Sequence, residues 1–151
     1  MKGRRTDLSG AECAAARALA VIGDWWSLLI VRDALMGTER FSDFQKSIGL
    51  AKNILSSRLK KLVDDGVLEL ERDPVFENRH RYALTSKGES LGVVIAALWQ
   101  WGEANCFEPG ELSIRLVDGR DGQSFSKIRL RNTKGEPVES RGMRLRVKKK
   151  A

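Results

Sequence analysis

The segment from residue 52 to residue 60 carries polar side chains whose chemistry suits the edges of DNA bases. Asparagine can form two hydrogen bonds with adenine, serine can donate or accept one, and lysine can reach guanine or a phosphate. On a helix with about 100° per residue, these side chains lie opposite an apolar face that contains Leu55, Leu59 and Leu62. An ordinary amphipathic helix with a solvated polar face has the same pattern, so that alternative stays open. The DNA contacts predicted from this segment are Lys52, Asn53, Ser56, Ser57 and Lys60.

A second cluster, Arg79-His80-Arg81, places cationic side chains on both sides of a histidine. Arginines on a hairpin suit the phosphate backbone or a narrow minor groove, and we predict that all three residues contact DNA. His80 is expected to touch a phosphate or to be a plain surface residue, and a catalytic role is not expected. Arg40 is a further candidate for a backbone contact, and its alternative is a lone surface arginine.

Few residues could support catalysis or hold a metal ion. Cys13 and Cys106 stand far apart and His80 is the only histidine, whereas zinc sites need three or four ligands at close spacing. The sequence has neither a P-loop nor a GxGxxG motif. We therefore expect a protein that is not an enzyme, with no catalytic residue, no metal site and no cofactor.

The elements that must position these residues follow from hydrophobic spacing, capping residues and turns. Ser42 with Gln45, and Ser86 with Glu89, predict capping boxes at the start of the third and fifth helices. The order of elements is that of a winged helix-turn-helix, a mainly α (α+β) fold. The predicted elements are helices over residues 11–22, 25–36, 42–48, 52–65 and 86–105, and hairpin strands over residues 67–72 and 79–84.

The length of 151 residues, with 42% hydrophobic and 31% charged residues, predicts one globular domain with a small appendage. Residues 1–108 are predicted to form a winged helix-turn-helix domain for DNA binding and dimerisation. No apolar run is long enough to span a bilayer, so we expect no membrane partner and a cytoplasmic location. Residues 109–151 are predicted to form a basic β-rich extension, with strands over 113–117, 127–131 and 143–147 and a disordered tail at Lys148, Lys149 and Lys150.

The net charge of +7 is concentrated near the C-terminus. Residues 1–106 carry 15 Lys and Arg against 14 Asp and Glu, whereas residues 107–151 carry 12 against 6. A basic protein without a membrane segment most often binds nucleic acid or an anionic surface. Together with the residue chemistry above, this charge favours double-stranded DNA as the partner.

The stretch from Cys13 to Glu103 resembles the HxlR-type winged-helix transcriptional regulators. The motifs that carry the resemblance are, in order, CAAARALAVIGDWWSLLIVRDALMGTERFSDFQ, IGLAKNILSSRLKKLVDDGVLELER and RHRYALTSKG. The resemblance implies a homodimer in which the first and fifth helices pair and present two recognition helices to a pseudo-palindromic operator. It also implies a regulator that responds to a small-molecule effector or to an oxidant.

Several positions qualify this resemblance. Ala14 stands where relatives usually have Pro, and Trp25 stands where they usually have Lys, so Trp25 is expected to fill the core or to line a ligand pocket. Residues 133–147 resemble a C-terminal ribbon of some relatives but lack its cysteines.

Cys13 falls on the position of a cysteine that some relatives use as a redox sensor, and a helix N-terminus favours the thiolate. Its alternative role is packing, because free cysteines are often buried.

We interpret the chain as a sequence-specific DNA-binding transcriptional regulator, and two other classes of function remain open. A winged-helix module that binds proteins and not DNA would need an acidic or apolar recognition face. A small-molecule-binding or enzymatic domain on the same scaffold would need polar groups that converge in a pocket.

Overall fold

The computed structural model describes residues 7–146, and the predicted strand end at Val147 and the predicted lysine tail lie outside that range. The helices and strands follow the order expected for a winged helix-turn-helix, and an irregular C-terminal segment with one 3-10 turn follows them in the described residues. The elements are α1 (Ala14–Ile22), α2 (Trp25–Leu35), α3 (Phe41–Ile48), α4 (Lys52–Asp64), β1 (Leu68–Arg72), β2 (His80–Leu84), α5 (Ser86–Glu89), α6 (Gly92–Asn105) and a 3-10 turn (Ser140–Gly142).

The junction between α1 and α2 forms as the sequence predicts. The Asp24 carboxylate accepts a hydrogen bond from the Ser27 N–H at 3.0 Å, which caps the exposed N–H groups of α2. Trp25 follows this cap and is 74% exposed, so the expectation that it fills the core is wrong. Its ring instead meets the edge of the Trp26 ring at a centroid distance of 6.1 Å.

The N-cap of the first helix of the helix-turn-helix lies two residues before the predicted one. Arg40 is the N-cap residue of α3 and makes no side-chain capping bond, so the predicted Ser42–Gln45 capping box is wrong. The Gln45 amide instead donates to the Leu50 carbonyl at 3.3 Å, across the turn between the two helices. Gly49 ends α3 with a φ of 74°, a left-handed conformation that glycine adopts without strain.

The predicted hairpin is confirmed, with β1 and β2 paired antiparallel from Leu68 opposite Leu84 to Arg72 opposite His80. We call this hairpin, with its connecting residues 73–79, the wing. The Tyr82 N–H donates to the Glu39 carbonyl at 2.8 Å, so the chain before α3 adds to the open edge of β2. This bond fixes the wing beside the helix-turn-helix.

The predicted fifth helix is two helices. Thr85, and not Ser86, is the N-cap of α5, because its hydroxyl oxygen accepts from the Gly88 N–H at 3.1 Å. Gly88 packs so closely that a Cβ there would collide with the Val67 carbonyl oxygen. This close approach ties α5 to the start of β1, and the chain turns before α6 begins at Gly92.

The core lies between the helices and the inner side of the wing. Its fully buried members come from α2, α3, α4 and β1, as the apolar spacing in these segments predicts, and from Val67 just before β1. The Phe44 ring meets the Tyr82 ring edge to face at 6.3 Å, which links α3 to β2. The core side chains are Ile30, Val31, Phe44, Leu50, Leu55, Leu59, Leu62, Val67, Leu68 and Ile95.

Residues up to Ile95 form one compact unit, and residues from Ala96, which include most of α6 and the extension, form a second. In the second unit the described part of the extension has no regular strand, and the three predicted strands are therefore wrong. Two isolated antiparallel bridges occur instead, Val117 with Ser124 and Arg131 with Pro137. The Gln100 side chain of α6 fastens the extension by accepting from the Ile128 N–H at 2.8 Å and donating to the Ser126 carbonyl at 2.9 Å.

Within residues 7–146, no single helix has the length and hydropathy of a membrane span. The adjoining helices α1 and α2 meet that criterion only when they are taken together, across a bend of 78°.

Candidate nucleic-acid interface

The outer face of α4 is polar and exposed along its length. Leu55, Leu59 and Leu62 on the opposite face are 0% exposed, so the rotation of the helix about its own axis is fixed by packing. Lys60 lies 2.6 Å from Asp64 one turn later, and both side chains are largely exposed, so this ion pair is weak. The predicted contacts Lys52, Asn53, Ser56, Ser57 and Lys60 are all exposed.

Two other cations of α4 hold the helix in place. Arg58 lies 3.4 Å from the Asp24 carboxylate at the start of α2, which agrees with the bracing role that its position beside the core suggests. Lys61 donates to the Val21 carbonyl at 3.2 Å and also pairs with Asp65. Lys61 therefore faces α1 and does not belong to the polar face. The contacts of these two side chains orient the exposed face, and neither side chain is part of it.

Arg81 is engaged within the protein. Its guanidinium donates to Glu71 at 2.9 Å on the neighbouring strand and to Glu39 at 3.3 Å before α3. The hydrogen bond to Glu71 raises the pKa of Arg81, so its guanidinium stays charged. The structure thus places Arg81 as a brace between the wing and the helix-turn-helix, although the sequence predicts a DNA contact at this position.

Arg40 is likewise paired, with Asp73 at the start of the wing loop. The distances from its Nε and from a terminal nitrogen to the same carboxylate oxygen are 3.1 and 3.0 Å. The other oxygen of Asp73 accepts from the Val75 N–H at 2.8 Å and the Phe76 N–H at 3.2 Å. These backbone bonds, together with the Arg40 charge, hold the pKa of Asp73 below its ordinary value. Asp73 therefore stays ionised and fixes the wing loop to the start of α3.

Arg79 differs from Arg40 and Arg81 in its partners. Its guanidinium lies over the Phe76 ring at 4.9 Å, and the Arg40 guanidinium lies over the same ring at 5.1 Å. Among the described residues, no carboxylate forms an ion pair with Arg79. His80 follows as an exposed residue opposite Arg72. Of the three arginines Arg40, Arg79 and Arg81, Arg79 is thus the one that remains open to a ligand.

Sequence reasoning missed three residues of this surface. Phe76 and Asp73 organise the wing loop, but their roles depend on contacts with Arg40, which is distant in sequence. Ile54 is 39% exposed beside the polar face of α4, where an apolar side chain can meet a thymine methyl group. The signal available in the sequence was an aromatic residue, Phe76, between turn residues and the Arg79-His80-Arg81 cluster.

Cys13 is the N-cap residue of α1 and is exposed, so the packing role considered for it is not seen within this chain. Its side chain makes no capping hydrogen bond. Cys106 is also exposed and follows the last residue of α6. The two thiols are therefore accessible in the single chain.

Comparisons with known proteins agree with this geometry. Residues 21–109 match the HxlR-like helix-turn-helix family. The chain is 32% identical over 127 residues to an uncharacterized HTH-type transcriptional regulator of Mycobacterium tuberculosis, covering 84% of this chain and 80% of that one. A crystal structure of a transcription-factor candidate is similar with a TM-score of 0.87 and 43% identity, covering 93% of this chain and 99% of that chain. The redox regulator HypR in its reduced form is similar with a TM-score of 0.56 and 25% identity, covering 62% of this chain and 94% of that one.

Proposed function

Because the chain belongs to the HxlR-like helix-turn-helix family and is a transcriptional regulator, not an enzyme, we propose that it binds a specific DNA sequence as a homodimer. In this proposal α4 enters the major groove and the wing lies over the adjoining backbone or minor groove. The DNA-binding role fits the cytoplasmic location expected from sequence.

The observation that carries the proposal is the composition of the α4 face. Asn53 and Ser57 are exposed near the start of the helix, where a side chain reaches base edges in this docking geometry. Lys52 and Lys60 flank them and suit phosphate or guanine contacts. The alternative, a winged-helix module that binds only proteins, is less well supported because this face is neither acidic nor mainly apolar.

The homodimer is supported by apolar side chains that the single chain leaves exposed. Along α6, Val94 is 44% exposed, Leu98 51% and Trp101 62%, and at the spacing of a helix they form one stripe. On α1, Leu19 is 56% exposed. A second copy would remove such surface from water, and a two-fold pairing of the first and last helices is the simplest closed arrangement.

An effector response is the third part of the proposal. Redox regulators are among the structural neighbours, and the exposed Cys13 thiol is the candidate sensor of oxidants. Cys13→Ser should keep operator affinity and abolish any response of DNA binding to diamide. An unchanged response would leave Cys13 without a sensing role.

The central test uses the full chain to select bound sequences from random duplex DNA and then compares variants on the selected operator. Asn53→Ala should lose roughly 1–3 kcal/mol of operator affinity and leave binding to random duplex nearly unchanged, because a base contact is sequence-specific. Ser86→Ala, an exposed helical serine outside the α4 face, is the control and should change neither affinity. Equal weakening of specific and random DNA by Asn53→Ala would contradict base readout by α4.

A further inference from the structure

We propose that the Phe76 ring positions Arg79 for a narrow minor groove, so that the wing distinguishes A·T-rich from G·C-rich DNA beside the sequence read by α4. This inference rests on the proposed DNA-binding function. It assigns a positioning role to Phe76 and a specificity-determining role to Arg79.

The first step is the geometry of the ring. Phe76 is 43% exposed in the wing loop, and the Arg79 guanidinium lies over its ring at 4.9 Å from the ring centroid. A guanidinium at this distance from an aromatic face is attracted by the negative charge density of the ring. An exposed arginine otherwise samples many rotamers, so the ring reduces the entropy that Arg79 must lose when it binds.

The second step is the ring's own support. The Asp73 carboxylate accepts from the Phe76 N–H at 3.2 Å and from the Val75 N–H at 2.8 Å, which holds the loop in a tight turn. The same carboxylate pairs with Arg40, and Arg40 lies over the ring at 5.1 Å. The ring is therefore fixed from the start of α3, which is part of the helix-turn-helix itself.

The third step is the distribution of charge. Two guanidiniums beside one ring repel each other, and the Asp73 carboxylate offsets the charge of Arg40 alone. Arg81 is offset in the same way by Glu71 and Glu39. Of Arg40, Arg79 and Arg81, Arg79 is the one without a carboxylate partner among the described residues, and it is exposed.

An uncompensated, pre-positioned arginine has a defined preference among DNA targets. The minor groove of A·T-rich tracts is narrow and has an enhanced negative potential, which favours arginine insertion. The amino group of guanine at N2 obstructs the floor of the groove in G·C pairs. Arg79 should therefore favour A·T pairs at a position that α4 does not contact.

The test compares the full chain on three duplexes that share the selected operator and differ only where the wing binds. The first duplex carries A·T pairs there, the second G·C pairs, and the third has 2,6-diaminopurine in place of adenine. Diaminopurine adds the minor-groove amino group and leaves the major groove unchanged. The wild-type chain should favour the first duplex over both others by roughly two- to fivefold, the range of an exposed cation–π contact.

The variants show whether the aromatic face of Phe76 positions Arg79 or whether any apolar side chain at that position is sufficient. Phe76→Leu keeps an apolar side chain but removes the aromatic face, so it should abolish the preference. Phe76→Trp should retain or increase it, and Arg79→Lys should abolish it because lysine lacks the planar guanidinium. Val75→Ala, at a 71% exposed apolar neighbour in the same loop, is the matched control and should keep it. Thermal unfolding of each variant shows whether the fold is intact.

The outcomes are distinct. If the chain selects an operator but Phe76→Leu keeps the A·T preference, the ring acts as an apolar wedge or has no role, and the inference fails while the proposed function stands. An equal affinity of the wild-type chain for the adenine and diaminopurine duplexes also overturns it. If the chain selects no sequence at all, the proposed function fails first.

Discussion

The wing and the C-terminal extension begin from the same kind of sequence and reach different structures. Both contain alternating apolar and polar residues between turn residues, and this pattern predicts strands in both. The wing forms a five-pair ladder, whereas the described extension forms only isolated bridges. An alternating pattern becomes a stable strand when a packed surface covers its apolar side.

The burial of the apolar residues shows the difference directly. Leu68 of β1 is 1% exposed against the helical core, and Tyr82 of β2 packs on Phe44. In the extension, Ile114 is 61% exposed and Leu145 is 96% exposed. The extension therefore gains little stability from its own apolar residues in the single chain.

The largest expected effect follows from this contrast. Leu59→Ala, in the buried face of α4, should lower the free energy of unfolding by about 2–5 kcal/mol, because it leaves a cavity in the core. Ile114→Ala, in the extension, should lower it by no more than about 0.5 kcal/mol. Urea titration followed by circular dichroism measures both.

A large destabilisation by Ile114→Ala would contradict this expectation. If Ile114→Ala destabilises the chain as much as Leu59→Ala, then Ile114 is buried in the protein in solution, for example against a second copy. If the loss of unfolding free energy caused by Ile114→Ala changes with protein concentration, the second copy is the cause.

The fold of the first unit could be predicted because its signals are local. The Asp24 cap, the glycines that end helices and the spacing of Leu55, Leu59 and Leu62 act within one or two turns. The N-cap of α5 was predicted one residue too late because two adjacent residues could both fill that position. Thr85 and Ser86 both carry hydroxyls, and the packing of Gly88 against Val67 selects Thr85.

The candidate site was only partly predictable because charge pairing acts over long sequence separations. Exposure of the α4 residues followed from helical spacing. The pairing of Arg81 with Glu39 and of Arg40 with Asp73 could not be predicted from helical spacing. These partners are distant in sequence and are brought together only by the folded wing. The sequence shows which residues are cationic, and the fold determines which of them remain uncompensated.

The second prediction tests whether another chain covers the exposed stripe of α6. Leu98→Asp places a charge where apolar burial between copies is proposed, so the protein should become a monomer at micromolar concentration. Operator affinity should fall by about 10²-fold or more, because the second half-site is no longer held in place by the first. Light scattering and operator titration measure the two effects.

Arg129→Gln, at an exposed position in the extension, is the control because it lowers the net charge by the same one unit. It should leave the mass of the dimer unchanged. A wild-type protein that is already monomeric at micromolar concentration would contradict the dimer. It would also leave the exposed α6 stripe as a surface for a different protein.

The smallest expected effect contrasts the cations of the wing with those of the C-terminus. Arg79 is held at a defined place, whereas Lys148, Lys149 and Lys150 lie outside the described residues and are predicted to contact phosphates without sequence preference. Deleting residues 148–151 should flatten the plot of log K against log salt by roughly 0.9 for each phosphate that the lysines neutralise, equally for operator and random duplex. Arg79→Ala should flatten it by about one and also remove the A·T preference. An unchanged slope after the deletion would show that the lysines do not touch DNA, and the basic excess of the extension would then need another anionic partner.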